Sequence, residues 1–272
     1  GHQALFEVEC TNGNVGIGFY AGLNTTGSCN IAIGQQTMQN NTCGNSNTAV
    51  GRHAMYSTTT GCHNIALGPD SLYSNITGGD NIMIGYGAGC TTNAHNNIGI
   101  GTDSLKCNDI GIQNVVVGRC AAMSNTSGGY NTALGGSALK NNTTGGFNVA
   151  LGNVALLCNC NASNNVAVGY GAAYNNTTAS GTVAIGFYAN YNNCTAIFNT
   201  TVGAQAMQCN TGGCNTAVGY CALHNNSNSS RNTAVGMKAG VSNTTGGSNT
   251  IVGSEAMLLN ATGNYNTALG QA

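Results

Sequence analysis

Charge is almost absent from this sequence. Its 272 residues include six Lys or Arg and seven Asp or Glu, where an ordinary soluble domain is about a quarter charged. That balance leaves no basic stripe for nucleic acid and no acidic tail. Apolar runs are a few residues long, far short of the ~20 needed to span a bilayer. There is one Pro and no Trp. No stretch sustains a 3.6-residue apolar period, which argues against amphipathic helices, and the absence of heptads argues against a coiled-coil stalk. No initiator Met or signal peptide opens the chain, so any targeting segment is expected outside it.

What is abundant is Gly, at 42 residues, and Asn, at 43. Both follow a repeat. Gly recurs from position 1 through 18, 34, 51 and 68 to 270, in thirteen steps of 17 residues and three of 16. Each Gly after the first ends the same short phrase, as in Asn47-Thr48-Ala49-Val50-Gly51 and Asn165-Val166-Ala167-Val168-Gly169. The residue four before Gly is Asn in fifteen of sixteen repeats, with Thr182 the exception. The residue three before is Val, Ile or Thr, and the one immediately before is Val, Ile or Leu. Three after Gly comes Ala in thirteen of sixteen, replaced by Thr37, Ser71 and Ser104.

A three-residue β-branched stretch between Asn and Gly predicts a very short strand between turns. One repeat cannot bury its own apolar face, but stacked repeats can. The expected fold is all-β: a parallel β-solenoid, or β-roll, with one coil per 16–17 residues and about sixteen coils in a single array over residues 1–272. At ~4.8 Å per strand this predicts a rod of roughly 75–80 Å. Gly should mark a corner needing positive φ or close backbone approach. Asn should make turns or bond along a ladder. The aliphatic residue before Gly (Val50, Ile84, Leu151, Val168, Val235) is expected to be the buried one. The Ala face is expected to pack against other chains, with Met83, Val116, Thr201 and Ile251 interrupting it.

The phrase Asn-x-Ala-(Val/Ile/Leu)-Gly followed by x-x-Ala resembles the head repeats of trimeric autotransporter adhesins, and similar repeats occur in tail-fibre-like proteins. The resemblance spans the whole chain. It implies a left-handed parallel β-roll, often with three chains around one axis. The sequence departs from that family in its longer period, its 13 Cys and its lack of a neck or stalk.

So many Cys suggest an oxidising compartment. Disulfides are expected between residues a coil apart: Cys90 with Cys107, Cys10 with Cys29, Cys43 with Cys62, and Cys194 with Cys209 or Cys214. Cys120, Cys158, Cys160 and Cys221 have no evident mate. Fifteen Asn-x-Ser/Thr sequons occur. Glycan acceptors are expected among Asn24, Asn40, Asn75, Asn125, Asn142, Asn161, Asn176, Asn193, Asn225, Asn243 and Asn260, although the same residues are also good turn formers.

Catalytic signals are sparse. The five His occupy different repeat positions, and acids such as Asp70, Asp103 and Glu255 look isolated. Cys62-His63 shows no acid or second base in its column. Gly16-Ile17-Gly18-Phe19-Tyr20-Ala21 imitates a dinucleotide fingerprint without the following helix. Tyr and Phe gather just after Gly (Tyr20, Tyr86, Tyr170, Tyr188, Tyr220), as corner caps or a sugar-stacking stripe. No metal or cofactor is expected, and no enzyme. The expected role is an extracellular structural fibre or surface-appendage subunit, on a cell or virion, that self-associates head to tail or side by side. The alternatives are an adhesin head and, third, an ice-binding solenoid with a Thr ladder. The chain starts and stops in repeat register without a cap, which would let subunits continue one another's stack.

Overall fold

The computed structural model describes residues 2–6 and 12–271. It contains sixteen three-residue strands and no helix among them. The chain divides into two compact units, Gly1–Gly136 and Ser137–Ala272. The first holds β1 (Val15–Ile17), β2 (Ile31–Ile33), β3 (Thr48–Val50), β4 (Ile65–Leu67), β5 (Ile82–Ile84), β6 (Ile98–Ile100), β7 (Val115–Val117) and β8 (Thr132–Leu134). The second holds β9 (Val149–Leu151), β10 (Val166–Val168), β11 (Val183–Ile185), β12 (Thr200–Val202), β13 (Thr216–Val218), β14 (Thr233–Val235), β15 (Thr250–Val252) and β16 (Thr267–Leu269). Within each unit every strand pairs in parallel with the next in sequence, as in Thr48↔Ile65 and Thr216↔Thr233. This is the expected β-solenoid. The 16-residue steps leave strand register intact: Val15 still faces Ile31, so the missing residue comes out of the turns.

The Gly corner has both of the expected properties. Gly51 has φ 135°, and a Cβ there would lie 2.7 Å from the carbonyl oxygen of Gly68 in the next coil. Three further corners per coil take the left-handed conformation on ordinary residues. Four after Gly it falls on Met38, Met55, Leu72 and Leu156; two after, on His53, Asp70 and Val154; and in the later turn, on Ser46, His63, Asp80 and Tyr130. An L-residue there costs about 1–2 kcal/mol, which the surrounding packing has to offset.

Inside and outside are reversed from the expectation. The central residue of each strand points inward: Ala49, Ala66, Ala150, Ala167 and Ala217 are fully buried. Val50, Ile84, Leu151 and Val168 are only half-buried, and Val235 is 39% exposed. The Ala face is therefore the interior wall and cannot pack against other chains. Met83, Val116, Thr201 and Ile251 lie inside the coil. The reason is width. A coil of 17 residues encloses too little space for an aliphatic side chain from every wall, so the strand contributes Ala. The residue four after Gly supplies the volume: Met38, Met55, Leu72, Leu105, Leu139, Leu156, Met207 and Leu223 are all fully buried. Where the strand brings a larger residue, its neighbour shrinks. A Cβ on Gly89 would lie 2.9 Å from Met83 Sδ, and one on Gly240 would lie 2.6 Å from Ile251 Cδ1.

Two buried Asn columns complete the interior. In the first, four before Gly, the Asn47 backbone N–H and Nδ2 both donate to Asn30 Oδ1, at 3.0 and 3.2 Å. Asn47 Nδ2 also donates to Gly61 O at 2.8 Å, and Asn64 repeats the pattern on Asn47 and Gly78. In the second, seven after Gly, Asn125 Nδ2 donates to Asn108 Oδ1 at 2.7 Å and to Gly128 O at 2.8 Å. Buried amides of this kind need partners, and most of these polar atoms have them, Asn176 Oδ1 and Asn243 Oδ1 being exceptions in the second column. Thr182 breaks the first column: its backbone N–H still donates to Asn165 Oδ1 at 2.9 Å, but it brings no amide to the ladder and its hydroxyl is buried without a partner.

Two stability outcomes follow from this arrangement. Ala167→Asp buries an unpaired charge and should cost on the order of 3 kcal/mol or more. Val168→Asp, one residue along but half-exposed, should cost under about 1 kcal/mol. Denaturant melts of the pair check the order, and a larger loss at Val168 would contradict it. Thr182→Asn restores the amide column and should raise stability by about 1 kcal/mol, read as a higher melting temperature.

Candidate functional site

A depression of about 320 Å³ opens on the first unit, lined by His53, Asp70, Tyr73, Tyr86, Gly87, Cys90 and Lys106. The repeat explains its position. Positions two and five after Gly form neighbouring outward columns. In the coil that begins at Gly85 they are Gly87 and Cys90, where the coil before carries Asp70 and Tyr73 and the coil after carries Asp103 and Lys106. Two small residues side by side leave a hole framed by larger neighbours. Gly87 is also confined: a Cβ there would lie 2.9 Å from Asp103 Oδ1.

The polar groups around the hole are paired along the columns. His53 Nδ1 lies 3.3 Å from Asp70 Oδ1, and His53 Nε2 lies 2.9 Å from Gln36 Oε1. Lys106 Nζ lies 3.0 Å from Asp103 Oδ1, and that carboxylate pushes the ammonium up from its usual range. Tyr56 and Tyr73 stack with ring centroids 5.3 Å apart, and His53 meets both rings edge-on. Burial pushes the Cys90 thiol up, against a smaller pull downward from Lys106. Both ring nitrogens of His53 are engaged by Asp70 and Gln36, so neither is left to take a proton from Cys90. The thiolate is the reactive form of cysteine, and this site does not favour it. Among the described residues no group of three or more His, Cys, Asp or Glu could hold a metal ion.

The acids are thus less isolated than the sequence suggests. Asp70 shares a column with His53, and Glu255 lies 3.7 Å from Lys238 in another such pair. His63, with no expected acid in its column, lies 3.4 Å from Asp80 one coil on. The signal was available: 17-residue spacing places His53 over Asp70 and His63 over Asp80.

The cysteines sit differently from expectation. All twelve described ones are free thiols, and Cys10 lies outside the described residues. Thr91 N–H donates to Lys106 O, which sets Cys107 level with Thr91 and Cys90 level with Lys106. The residue missing from this 16-residue coil falls after these positions, so register has to be counted forward from Gly. Cys62 is level with Asn45, whose backbone N–H donates to its Sγ at 3.3 Å, and not with Cys43. Cys214 N–H donates to Ile197 O, which sets it beside Phe198 and away from Cys194. Cys29, the expected mate of Cys10, is exposed, and Cys209 is partly buried.

Six of the expected glycan acceptors belong to the second Asn column. Asn75, Asn125, Asn142, Asn176, Asn193 and Asn243 are buried, each with Nδ2 donating to a carbonyl three residues on. A glycan replaces a hydrogen on that nitrogen, and the folded coil has no room for one. Asn161 and Asn225 are exposed, and Asn24, Asn40 and Asn260 are partly so.

The second unit carries an aromatic cluster. Tyr170 and Phe187 stack at 5.8 Å, Tyr174 and Tyr191 at 5.0 Å, and Tyr188 meets Tyr191 edge-on at 4.7 Å. Burial, then a hydrogen bond to Tyr170, pushes the Tyr188 phenol up.

Comparison with protein families, with characterised proteins and with solved structures finds no match to this chain. The solenoid is compatible with a β-roll repeat protein.

Cys90 provides a test of the depression. Iodoacetamide should label it more slowly near neutral pH than exposed Cys107, because its raised pKa leaves less thiolate. Lys106→Met should slow it further. A mass-spectrometric time course checks both, and equal rates at the two thiols would contradict the assignment.

Proposed function

We propose that the chain is a non-catalytic structural segment of an extracellular fibre or surface appendage, and that copies associate side by side through the outward face of the sheet. One observation carries this reading. In the first unit both outward columns are aliphatic almost throughout, and Val15, Ile17, Ile31, Ile65, Ile100, Val115, Val117 and Leu134 are exposed. No charged residue occurs in either column. A contiguous apolar surface of this kind marks a contact site. This face takes the role that the Ala column was expected to play. The resemblance to adhesin heads and tail-fibre repeats supports surface display, and exposed sequons at Asn161 and Asn225 are in keeping with it.

An adhesin head is the second reading, favoured by the aromatic cluster around Tyr170 and Phe187. Rings flanked by amides such as Asn175 and Asn192 suit the apolar face and hydroxyls of a sugar. A glycan array on the purified chain tests it.

Ile65→Lys tests the structural reading. It places a charge at the centre of the aliphatic face, on a residue that is 38% exposed, so the fold should survive. Light scattering and negative-stain microscopy of the native protein should show assemblies that the variant lacks. A monodisperse monomer at micromolar concentration would overturn the proposal.

A further inference from the structure

The outward face of the second unit differs in kind from that of the first. Three residues before Gly, the column reads Val149, Val166, Val183 and then five consecutive threonines: Thr200, Thr216, Thr233, Thr250 and Thr267. Each Thr is the register partner of the next. Two residues along, in the same strands, runs a parallel row of Val202, Val218, Val235, Val252 and Leu269. Thr200, Thr233, Thr250 and Thr267 are exposed and Thr216 is half-exposed. No protein group among the described residues engages any of the five hydroxyls. From one residue before each Thr to two beyond the aliphatic residue, these five coils carry no charge. The nearest is Arg231, two residues before Thr233.

We propose that this Thr-x-Val face binds ice. Successive strands repeat every ~4.8 Å, so the face presents hydroxyls and methyls on a two-dimensional lattice, fixed by the backbone ladder. That repeat is close to the spacing of oxygens along a growth face of ice. The hydroxyls can enter the hydrogen-bond network of ordered water. The methyls and the adjacent valines hold the water between them in cages and do not compete for its hydrogen bonds. A charge would impose its own hydration shell and break the match, and these two columns have none. The short strands also fix the side chains: Thr and Val are stiff at χ1, so the lattice is ordered before ice arrives. A crystal face matches so repetitive a surface, because its own pattern repeats in step. The isolated Thr48, between Ile31 and Ile65, and Thr132 in the first unit form no such lattice.

The experiment measures thermal hysteresis and ice recrystallisation in the native chain, Thr233→Tyr, Thr250→Tyr and the control Thr48→Tyr, with circular dichroism confirming the fold. Tyr is too large for the lattice but is tolerated at an exposed strand position. The expected result is hysteresis in the native chain and in the Thr48 variant. In the Thr233 and Thr250 variants it should fall several-fold. No hysteresis in the native chain, or full hysteresis in folded Thr233 and Thr250 variants, would overturn the proposal. Sedimentation run alongside separates the other occupant: concentration-dependent association lost in the Thr233 variant, without hysteresis, would assign the face to a second copy of the chain. Failure of the side-by-side assembly, read at Ile65, leaves this test unaffected.

Discussion

Each coil depends on an amide that it cannot satisfy alone. Asn47 needs Asn30 below it for an acceptor and Gly61 beyond it for a second one. Neither lies in its own coil. Leaving a buried polar group unpaired costs roughly 1–3 kcal/mol, so a coil with its amide buried is stable only when its neighbours are built the same way. This forces repetition more strictly than apolar packing does. An aliphatic position tolerates Val, Ile or Leu, and the columns outside the coil use all three. The Asn column four before Gly admits one substitution, Thr182, and that substitution leaves its own hydroxyl buried without a partner.

Volume is the second constraint. The interior admits Ala from the strand and one Leu or Met from the opposite turn, and departures come in complementary pairs. Met83 is set against Gly89 and Gly99, and Ile251 against Gly240. By the same register Thr201 is matched with Asn190. Both are fully buried, and Thr201 Oγ1 and both Asn190 amide atoms lack partners. This pair keeps volume while giving up hydrogen bonds.

The columns themselves were legible in the sequence, because a fixed period leaves no other reading of Gly, Asn and Ala. Strand positions followed from three β-branched residues between turn formers. What could not be read was the direction in which the strand faces. Alternation puts Ala on one side and Val or Ile on the other, and the pattern is the same whichever side is inside. Hydrophobicity points to the aliphatic side, yet the width of a 17-residue coil decides for Ala. The deciding clue was the Leu or Met four after Gly, a residue in a left-handed turn where a core position is not expected. The depression was equally hidden. Its acids and His53 lie 17 residues apart, which is distance in the sequence and adjacency in the coil.

Because the interior is fixed by amides and volume, variation is free only on the outward columns, and the two units have varied them differently. Aliphatic residues on the first unit's sheet face make a surface suited to another apolar surface. Threonines on the second make one suited to water held in a lattice. The turn columns carry ion pairs and stacked rings in both units: Asp103 with Lys106 and Tyr56 with Tyr73 in the first, Lys238 with Glu255 and the Tyr170–Phe187 and Tyr174–Tyr191 stacks in the second. None of these differences disturbs the backbone, since Thr48↔Ile65 and Thr216↔Thr233 pair in the same register. A scaffold of this kind separates stability from recognition: the inner columns hold the coil while the outer ones are rewritten. What the chain binds is therefore set by the order of residues along an outward column, read every 16 or 17 positions, more than by any compact motif along the chain.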